Sequence, residues 1–338
     1  MQTPASENAD PPLPARLFLT GGSGYVGRNL IRHFTARGAE VIALVRTDGA
    51  RRIVESLGAI PFGGDLHSEQ LVAGMEGCQA LIHAAADTDH GPASAVQRRT
   101  NVDGTRNVFV AAAKAGIRRA VHLSSESVLL DGHPLVDANE RMLYPDRPAG
   151  GYSATKAEAE RIALSAVSKG VEVCVVRPRF VWGRDDTTAL PQLLEAVDSG
   201  RFAWIDGGRY ATSSTHIANL AHGIERALVA GTSGEIYFIA DADSIEFRSF
   251  ISALLQSQGR LVPDKNVPRW LVFAIAAVCE RIAAVTGGRW RPPVTLQSLA
   301  PSAVTVTVDI AKARRDLGYE PAISREEGLA ELQALHDA

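Results

Sequence analysis

Tyr152 and Lys156 are the residues of this sequence whose types and spacing point most directly to acid–base chemistry. On a helix, positions four apart share one face, so the phenol and the ammonium would point the same way. A phenol with a pKa of about 10 is a poor base at neutral pH, but a nearby ammonium favours its ionised form. The pair could therefore move a proton to or from a substrate oxygen. The alternative is an exposed Tyr–Lys pair on a helix surface.

Ser125 adds a hydroxyl to this pair, because it follows a predicted strand over 120–123. Open α/β sheets bind ligands at the carboxyl ends of their strands, so the Ser125 side chain would face the ligand crevice. There it could hydrogen-bond the substrate oxygen and stabilise charge as hydride moves. Serine is also common at strand ends because it suits turns, and that interpretation stays open.

A glycine-rich turn near the N-terminus has the spacing of a nucleotide-binding turn. The pattern Thr20-Gly21-x-x-Gly24-x-x-Gly27 lies between a predicted strand and a predicted helix. Gly21 permits the tight turn, Gly24 lets the backbone approach a pyrophosphate, and Gly27 allows close packing of helix on sheet. Free N–H groups at the helix start favour the phosphate charge. The pattern in this setting predicts a dinucleotide site.

Arg46 bears on the choice of nicotinamide cofactor. Sites for NAD usually place a carboxylate at the end of the second strand, to bind the ribose 2′-hydroxyl. That strand ends here at Arg46, whose guanidinium suits a 2′-phosphate. NADP(H) is therefore favoured and NAD(H) stays open, as does a solvated charge at the strand end. Asp65, after the third strand, could accept a hydrogen bond from the adenine amine or cap a turn.

Strands and helices alternate through the first half of the chain. Continuous apolar runs such as 41–45 are typical of parallel strands buried on both faces. The alternation predicts an α/β fold, a doubly wound parallel sheet of the Rossmann type with a smaller, mixed C-terminal lobe. We expect a disordered tail over 1–14, a dinucleotide-binding domain over 15–180 that returns near 210–240, and a substrate-binding lobe over 181–209 and 241–338.

Composition excludes several other classes of protein. The net charge of −3 gives no electrostatic reason to expect nucleic acid as a partner. The three cysteines have no metal-ligand or disulfide spacing, so we expect no metal and a cytoplasmic location. The longest apolar run, 271–279, is too short to span a bilayer.

Several further motifs accompany the turn and the Ser, Tyr and Lys residues: Asp65-Leu66, His83-Ala84-Ala85-Ala86, Asn101-Val102-x-Gly104-Thr105-x-Asn107 and Arg177-Pro178. With them the chain resembles the extended short-chain dehydrogenase/reductase family over nearly its whole length. The runs 123–128 and 151–157 resemble the 3β-hydroxysteroid dehydrogenase and sterol-4-carboxylate 3-dehydrogenase branch. Reductases of β-keto acids and dihydroflavonol-type reductases share much of this pattern.

The resemblance implies a catalytic set of Ser125, Tyr152 and Lys156. It also implies a cofactor site formed, besides Tyr152 and Lys156, by Gly21, Ser23, Gly24, Tyr25, Val26, Gly27, Arg46, Asp65, Leu66, Ala84, Ala85, Ala86, Leu123, Pro178, Phe180 and Val181. Many NAD-using members of the steroid branch carry an acidic residue where Arg46 stands, which puts an NAD assignment in doubt. The expected reaction interconverts a secondary alcohol and a ketone on a hydrophobic substrate, such as a sterol-like or β-keto compound.

Two other functions stay open. A nucleotide-sugar dehydratase would need two adjacent acids after the catalytic hydroxyl, but Ser127 follows Glu126. Glu126 is interpreted instead as a solvated strand-end charge. A non-catalytic NAD(P) sensor would have no use for the Ser, Tyr and Lys set.

The apolar segment 270–285 has three interpretations. It is interpreted first as buried core, and otherwise as a wall of an apolar substrate site or a helix that contacts a membrane surface. Further pocket walls are expected from Trp182, Leu190, Leu193, Leu194 and Trp204. A homodimer is a further option for the assembly.

Overall fold

The computed structural model describes residues 12–91, 93–285, 290 and 294–337. Most of the tail predicted over 1–14 therefore lies outside the described residues. The strands of the described chain are β1 (Arg16–Thr20), β2 (Glu40–Val45), β3 (Ile60–Gly63), β4 (Ala80–His83), β5 (Arg119–Leu123), β6 (Leu135–Ala138), β7 (Glu172–Pro178), β8 (Val181–Trp182), β9 (Trp204–Ile205), β10 (Ala211–Thr212), β11 (Thr215–His216), β12 (Ile236–Ile239), β13 (Ile245–Glu246), β14 (Asn266–Val267) and β15 (Val306–Val308).

Helices connect these strands. In chain order they are α1 (Tyr25–Thr35), α2 (Asp48–Ser56), α3 (Leu71–Met75), α4 (Ala95–Arg98), α5 (Gly104–Lys114), α6 (Gly151–Ser165), α7 (Ala189–Asp198), α8 (Ile217–Ala230), α9 (Phe247–Ser257), α10 (Arg269–Val285), α11 (Leu296–Leu299), α12 (Ala311–Leu317) and α13 (Arg325–Asp337). A π turn (Arg99–Asp103) precedes α5, and a one-turn 3-10 helix (Glu126–Leu129) follows β5.

The centre of the fold is a parallel sheet in the order β12-β7-β5-β4-β1-β2-β3. All neighbouring strands of this sheet run parallel. For example, Leu17 of β1 lies opposite Val41 of β2 and Ala80 of β4. The strand order reverses between β1 and β4, and open sheets bind ligands at such a switch point. The doubly wound fold predicted from the sequence is confirmed.

The apolar runs of the sequence fill the two faces of this sheet. In β2 every residue after Glu40 is buried, as expected of a strand covered on both faces. One core cluster lies between the sheet and α1, α2 and α8, and a second lies between the sheet and α3 and α5. The helices on both faces thereby hold the strand ends in fixed positions.

A smaller sheet and an aromatic cluster are formed mainly by the second half of the chain, with β6 added to the sheet from the first half. The order of the small sheet is β13-β10-β15-β6, with antiparallel and parallel pairs, which confirms the expected mixed character. The cluster contains Trp182, Trp204 and Phe250, and the rings of Trp182 and Phe250 meet edge to face at 5.5 Å. Among the described helices, none combines the length and the apolar character needed to cross a membrane.

Candidate active site

The glycine turn has the geometry that a dinucleotide phosphate group requires. Gly21 has a φ of +77°, and a Cβ on Gly27 would lie 2.1 Å from the Gly21 carbonyl oxygen. No larger residue fits either position without a shift of the backbone. Helix α1 begins directly after Gly24, with no side-chain cap and no acidic residue in its first turn. Its first N–H groups therefore remain available for an anion.

A chain of buried hydrogen bonds fixes the end of β1 against β4. Thr20 Oγ1 lies 2.7 Å from His83 Nδ1, and His83 Nε2 lies 2.9 Å from Thr105 Oγ1. Burial and the Lys156 charge lower the pKa of His83 to about 3, so the ring is neutral at physiological pH. The Thr20 hydroxyl also accepts the N–H of Ala85, which holds the alanine segment beside the glycine turn.

Arg46 and Asp65, which are expected to bind the adenosine part of the cofactor, differ in their hydrogen bonding. Arg46 is exposed, lines the cavity, and has no ion pair or hydrogen bond to the described residues. Asp65 also lines the cavity, but its Oδ1 accepts the N–H of His67 at 2.8 Å and the hydroxyl of Ser68 at 3.2 Å. The turn-capping interpretation of Asp65 is thus observed, and its contact with adenine stays a prediction.

Ser125, Tyr152 and Lys156 lie on the wall of the same cavity as the glycine turn. Helix α6 begins at Gly151, so Tyr152 and Lys156 both lie on it, one helical turn apart. Both side chains are buried, and the Lys156 Nζ donates to the Leu123 carbonyl at 2.6 Å. Leu123 ends β5, and Ser125 follows it by two residues.

Burial shifts the pKa values of both helical residues. It raises the pKa of Tyr152 well above its ordinary value of 10, with a further increase from the Glu126 carboxylate, while the Ser125 and Ser127 hydroxyls lower it. It lowers the pKa of Lys156 from 10.5 to about 8, against the opposing effect of Glu160. The phenol is therefore a proton donor at neutral pH in the protein without ligands.

Glu126 is not the solvated strand-end charge that the sequence suggested. It is only 5% exposed, accepts the Ser125 hydroxyl at 2.7 Å, and pairs with Arg179 at 3.0 Å. The prediction was wrong because the chain turns into the 3-10 helix at this point and packs against α6. A carboxylate buried in this way needs a cation partner, and Arg179 provides it.

A second buried ion pair lies behind Lys156. Glu160, one further turn along α6, receives two hydrogen bonds from Arg177 and one each from Ser124 and Tyr144. The pair has essentially no solvent exposure. It fixes α6 against β5 and β7, and so fixes the two residues that α6 presents to the cavity.

The cavity has a volume of about 1380 Å³, and every residue predicted for the catalytic and cofactor sites lines it. Phe180, one of them, has a φ of +40°, a strained conformation for a residue that is not glycine. The structure thus brings the predicted residues together, while their roles remain predictions.

One part of the cavity wall is apolar. Leu193, Phe202, Phe247 and Ile251 line it together with Phe180. Of the pocket walls expected from the sequence, only Leu193 is among the lining residues; Trp182 and Trp204 belong to the aromatic cluster behind them. Among the described residues of 270–285 none lines this cavity, so that interpretation was wrong.

Segment 270–285 is also not simply buried core. Along α10 the large apolar residues Leu271, Ile275, Val278, Ile282 and Val285 are exposed, whereas Ala276 and Ala283 are buried. The exposed residues recur at spacings of four and three, which places them on one face of the helix. We call this set the outer face of α10.

His90 lines the cavity, but no sequence motif pointed to it. Its ring lies 4.9 Å from the Tyr152 ring, and its carbonyl accepts the Thr295 hydroxyl at 2.9 Å. His90 lies in the long loop after β4, and the spacing of residues in a sequence does not predict the path of such a loop. Arg179 was missed for a similar reason, since its partner lies 53 positions earlier in the chain.

Comparison with known proteins supports this architecture. A family model described as the 3-beta hydroxysteroid dehydrogenase/isomerase family matches residues 18–269. A protein of Stigmatella aurantiaca, named 4-hydroxy-2-methyl-3-oxo-4-farnesyl-3,4-dihydroquinoline-1-oxide ketoreductase, is 44% identical over 94% of this chain and 96% of its own. The 2-alkyl-3-oxoalkanoate reductase of Stenotrophomonas maltophilia is 32% identical over 94% of this chain and 98% of its own.

The solved structures include enzymes that act on nucleotide sugars. The dTDP-glucose 4,6-dehydratase DesIV of Streptomyces venezuelae, with NAD and TYD bound, has a TM-score of 0.72 and is 23% identical. The match covers 95% of this chain and 97% of that one. At 23% identity, this similarity shows a shared fold and nothing further.

Proposed function

The chain belongs to the 3-beta hydroxysteroid dehydrogenase/isomerase family and is an NAD(P)-dependent oxidoreductase of the short-chain dehydrogenase/reductase type. From that premise we propose that it interconverts a secondary alcohol and a ketone on a hydrophobic substrate, through Ser125, Tyr152 and Lys156. NADP(H) is the favoured cofactor, with NAD(H) as the alternative. The observation that carries this proposal is the convergence of these three side chains on the cavity that begins at the glycine turn.

The residues of the cavity fit a nicotinamide dinucleotide. The uncapped start of α1, with the close approach at Gly21 and Gly27, suits the pyrophosphate. Ser23, Tyr25 and Val26 would complete that end, and the unpaired guanidinium of Arg46 would bind a 2′-phosphate. Ala84 to Ala86, Leu123, Pro178, Phe180 and Val181 would line the path toward Tyr152. When bound, the nicotinamide would supply or accept the hydride.

Tyr152 would handle the proton of the reaction. In reduction, its phenol gives a proton to the oxygen that becomes the alcohol; in oxidation, its phenolate takes that proton back. Lys156, fixed to the Leu123 carbonyl, would stabilise the phenolate and bind ribose hydroxyls of the cofactor. Ser125 would contact the substrate oxygen from the end of β5.

The apolar part of the cavity wall supports a hydrophobic substrate. Burial of a nonpolar molecule against Leu193, Phe202, Phe247 and Ile251 is favourable, whereas a nucleotide sugar needs several groups that bind phosphate. The relative from Stigmatella is named for a farnesylated ketone, and that name supports the same class here. We therefore propose a sterol-like, β-keto or similarly nonpolar ketone.

Two other functions are alternatives to this proposal. A nucleotide-sugar epimerase or dehydratase shares the fold, and Glu126 is a carboxylate beside Ser125. Its oxygens already bind the Arg179 guanidinium and the Ser125 hydroxyl, and this disfavours a role in elimination. A non-catalytic sensor would bind the cofactor without turnover.

The location of the enzyme, its membrane contact and its assembly are also proposals. We propose a cytoplasmic protein that contacts a membrane surface through the outer face of α10, where Val278 and Val285 are the most exposed residues. A homodimer that covers the same face is the alternative. No nucleic acid partner is proposed.

The substitution Tyr152→Phe tests the central proposal. It should lower NADPH-dependent ketone reduction by about 10²–10⁴-fold while NADPH binding stays nearly unchanged. Sterol, β-keto and flavonoid ketones serve as the substrate panel. Tyr237→Phe, which removes a phenol hydroxyl from β12, is the matched control. Unchanged turnover in Tyr152→Phe would remove Tyr152 from the mechanism.

A further inference from the structure

The N-cap residue of α6, the helix that carries Tyr152, provides no side-chain cap. This residue is Gly150, and glycine has no side chain that could accept a hydrogen bond from the first turn of the helix. The N–H groups of that turn have no partner within the helix, and a buried N–H without any partner is costly. Ser153, whose N–H belongs to this turn, has no exposed surface. The first turn of α6 therefore needs an acceptor from elsewhere in the fold.

Gln297 of α11 supplies that acceptor from 144 positions away. Its Oε1 accepts the Ser153 N–H at 3.1 Å, and its Nε2 donates to Ser153 Oγ at 3.1 Å. A main-chain N–H can only donate, so the oxygen of the amide must face it. Gln297 is only 2% exposed, so these two bonds replace bonds that its amide would otherwise make to water. The cap of the catalytic helix thus comes from the C-terminal part of the chain.

Gly150 and Gln297 fit one another sterically. A Cβ at position 150 would lie 2.7 Å from both Cβ and Oε1 of Gln297, so a side chain there would displace the glutamine. The backbone of Gly150 is extended, with a φ of 173°, and does not itself require glycine. The space that Gln297 occupies is therefore the reason that glycine suits this position.

The segment around α11 also contacts the loop that faces Tyr152. Thr295 Oγ1 donates to the His90 carbonyl at 2.9 Å, and the His90 ring lies 4.9 Å from the Tyr152 ring. At the other end of the segment, Arg179 donates to the Pro301 carbonyl. Docking of this one segment thus fixes both the helical turn that contains Tyr152 and the loop against its ring.

We propose that Gln297 is a positioning residue, whose amide caps the first turn of α6 and thereby holds Tyr152 where it can exchange a proton with the substrate oxygen. This inference rests on the proposed function. Tyr152 lies in the first turn, which loses order when its cap is lost, whereas Lys156 lies one turn further and is held by the Leu123 carbonyl. Loss of the cap should therefore displace the phenol more than the ammonium. A displacement of about 1 Å can lower a rate about 10²-fold.

Rescue by a local cap is the first test. Gln297→Ala should lower kcat for ketone reduction by about tenfold or more, while the Kd for NADPH stays within about twofold of the wild-type value. The double variant G150S/Q297A should bring kcat back to within about threefold of the wild type, because the new hydroxyl can accept the Ser153 N–H in the space that Gln297 vacates. The control G150A/Q297A fills that space without a hydroxyl and should remain as slow as Gln297→Ala. Equal recovery in both double variants would show that packing, and not capping, is what matters, and would overturn the inference.

A double-mutant cycle with Tyr152 is the second test. The variant Y152F/Q297A should be no slower than Tyr152→Phe, because a hydroxyl that is absent cannot be misplaced. A purely structural role for Gln297 would instead give losses that add. Additive losses would therefore overturn the inference.

Amide hydrogen exchange gives a test on the wild-type enzyme. The Ser153 N–H should exchange slowly, because Gln297 accepts it, and rapid exchange there overturns the inference even if no Gln297 variant folds. An unchanged kcat in folded Gln297→Ala, or no recovery in folded G150S/Q297A, also overturns it, while an inactive Tyr152→Phe leaves the proposed function intact. If Tyr152→Phe keeps full turnover, the proposed function fails and this inference fails with it.

Discussion

The Lys156 ammonium donates a 2.6 Å hydrogen bond to the main-chain carbonyl of Leu123. This bond joins the helix that carries Tyr152 to the strand that leads to Ser125. Lys156 as a whole is only 3% exposed, so its ammonium lies where a charge is poorly solvated. The enzyme keeps a charge there that a purely structural core would not contain.

Substitution of Lys156 should therefore separate stability from activity. Burial lowers the pKa of Lys156 from 10.5 to about 8, so the unfolded chain binds its proton more tightly than the folded one. The difference corresponds to about 3 kcal/mol at pH 7, and this cost disappears as the pH rises from about 8 toward 10.5. Lys156→Met should lower turnover by about 10²-fold or more without lowering the free energy of unfolding at pH 7.

Denaturant unfolding and steady-state kinetics measure the two quantities. Lys114→Met, on the exposed end of α5, is the control and should affect neither. A loss of unfolding free energy in Lys156→Met would show that the buried ammonium contributes net stability.

Arg46 should discriminate between the two nicotinamide dinucleotides. Its guanidinium is exposed on the cavity wall, where a 2′-phosphate could accept two hydrogen bonds from it. Arg46→Ala should raise the Kd for NADPH by about tenfold or more and leave the Kd for NADH nearly unchanged. Fluorescence titration measures both constants, with Arg52→Ala on α2 as the control. Equal losses for both cofactors would refute the phosphate assignment.

The glycine turn should tolerate no side chain at Gly27. A Cβ there would lie 2.1 Å from the Gly21 carbonyl oxygen, so α1 and the turn must move apart in Gly27→Ala. We expect a lower melting temperature and the loss of stabilisation by added NADPH, because the turn would no longer approach the phosphates. Thermal shift with and without cofactor measures both effects. The control is Gly49→Ala, whose Cβ would meet only Thr47 Oγ1 at 3.9 Å. This variant should keep the wild-type melting temperature and the stabilisation by NADPH.

The outer face of α10 provides a test of membrane contact. The double variant I275E/V278E places two charges on that face, both at positions about half exposed. Wild-type protein should sediment with phosphatidylglycerol vesicles, and the variant should remain in solution with its turnover on a small ketone intact. Size-exclusion chromatography is the companion measurement. A wild-type dimer that becomes a monomer in the variant would favour the homodimer instead.

Local pattern accounts for the predicted elements and for the predicted residues that the structure brings together. The glycine spacing, the continuous apolar runs and the Tyr–Lys pair each act over fewer than ten residues, where periodicity and steric rules are strong. The order of the strands then brings their carboxyl ends together, which is why Ser125 and Gly24 share a cavity although a hundred residues separate them.

The incorrect expectations concern contacts between distant segments. Glu126 was interpreted as solvated because nothing near it in the sequence reveals Arg179. Segment 270–285 was one of the expected pocket walls, but none of its described residues lines the cavity. Leu193 of α7, which was expected, lines it together with Phe247 and Ile251 of α9, which were not. The burial of Glu126 and the identity of the pocket walls both depend on how the C-terminal segments pack. The apolar composition of those segments does not determine that packing.

The anchoring of Arg179 also matters for protein engineering. Because this arginine bonds to Thr212 and to the Pro301 carbonyl, a chimera that imports the C-terminal region of a relative would replace both of its anchor points. A transplant made only to broaden the range of accepted substrates would then disturb the serine as well. Donor sequences should be chosen for a hydroxyl at position 212 as much as for the shape of their pocket.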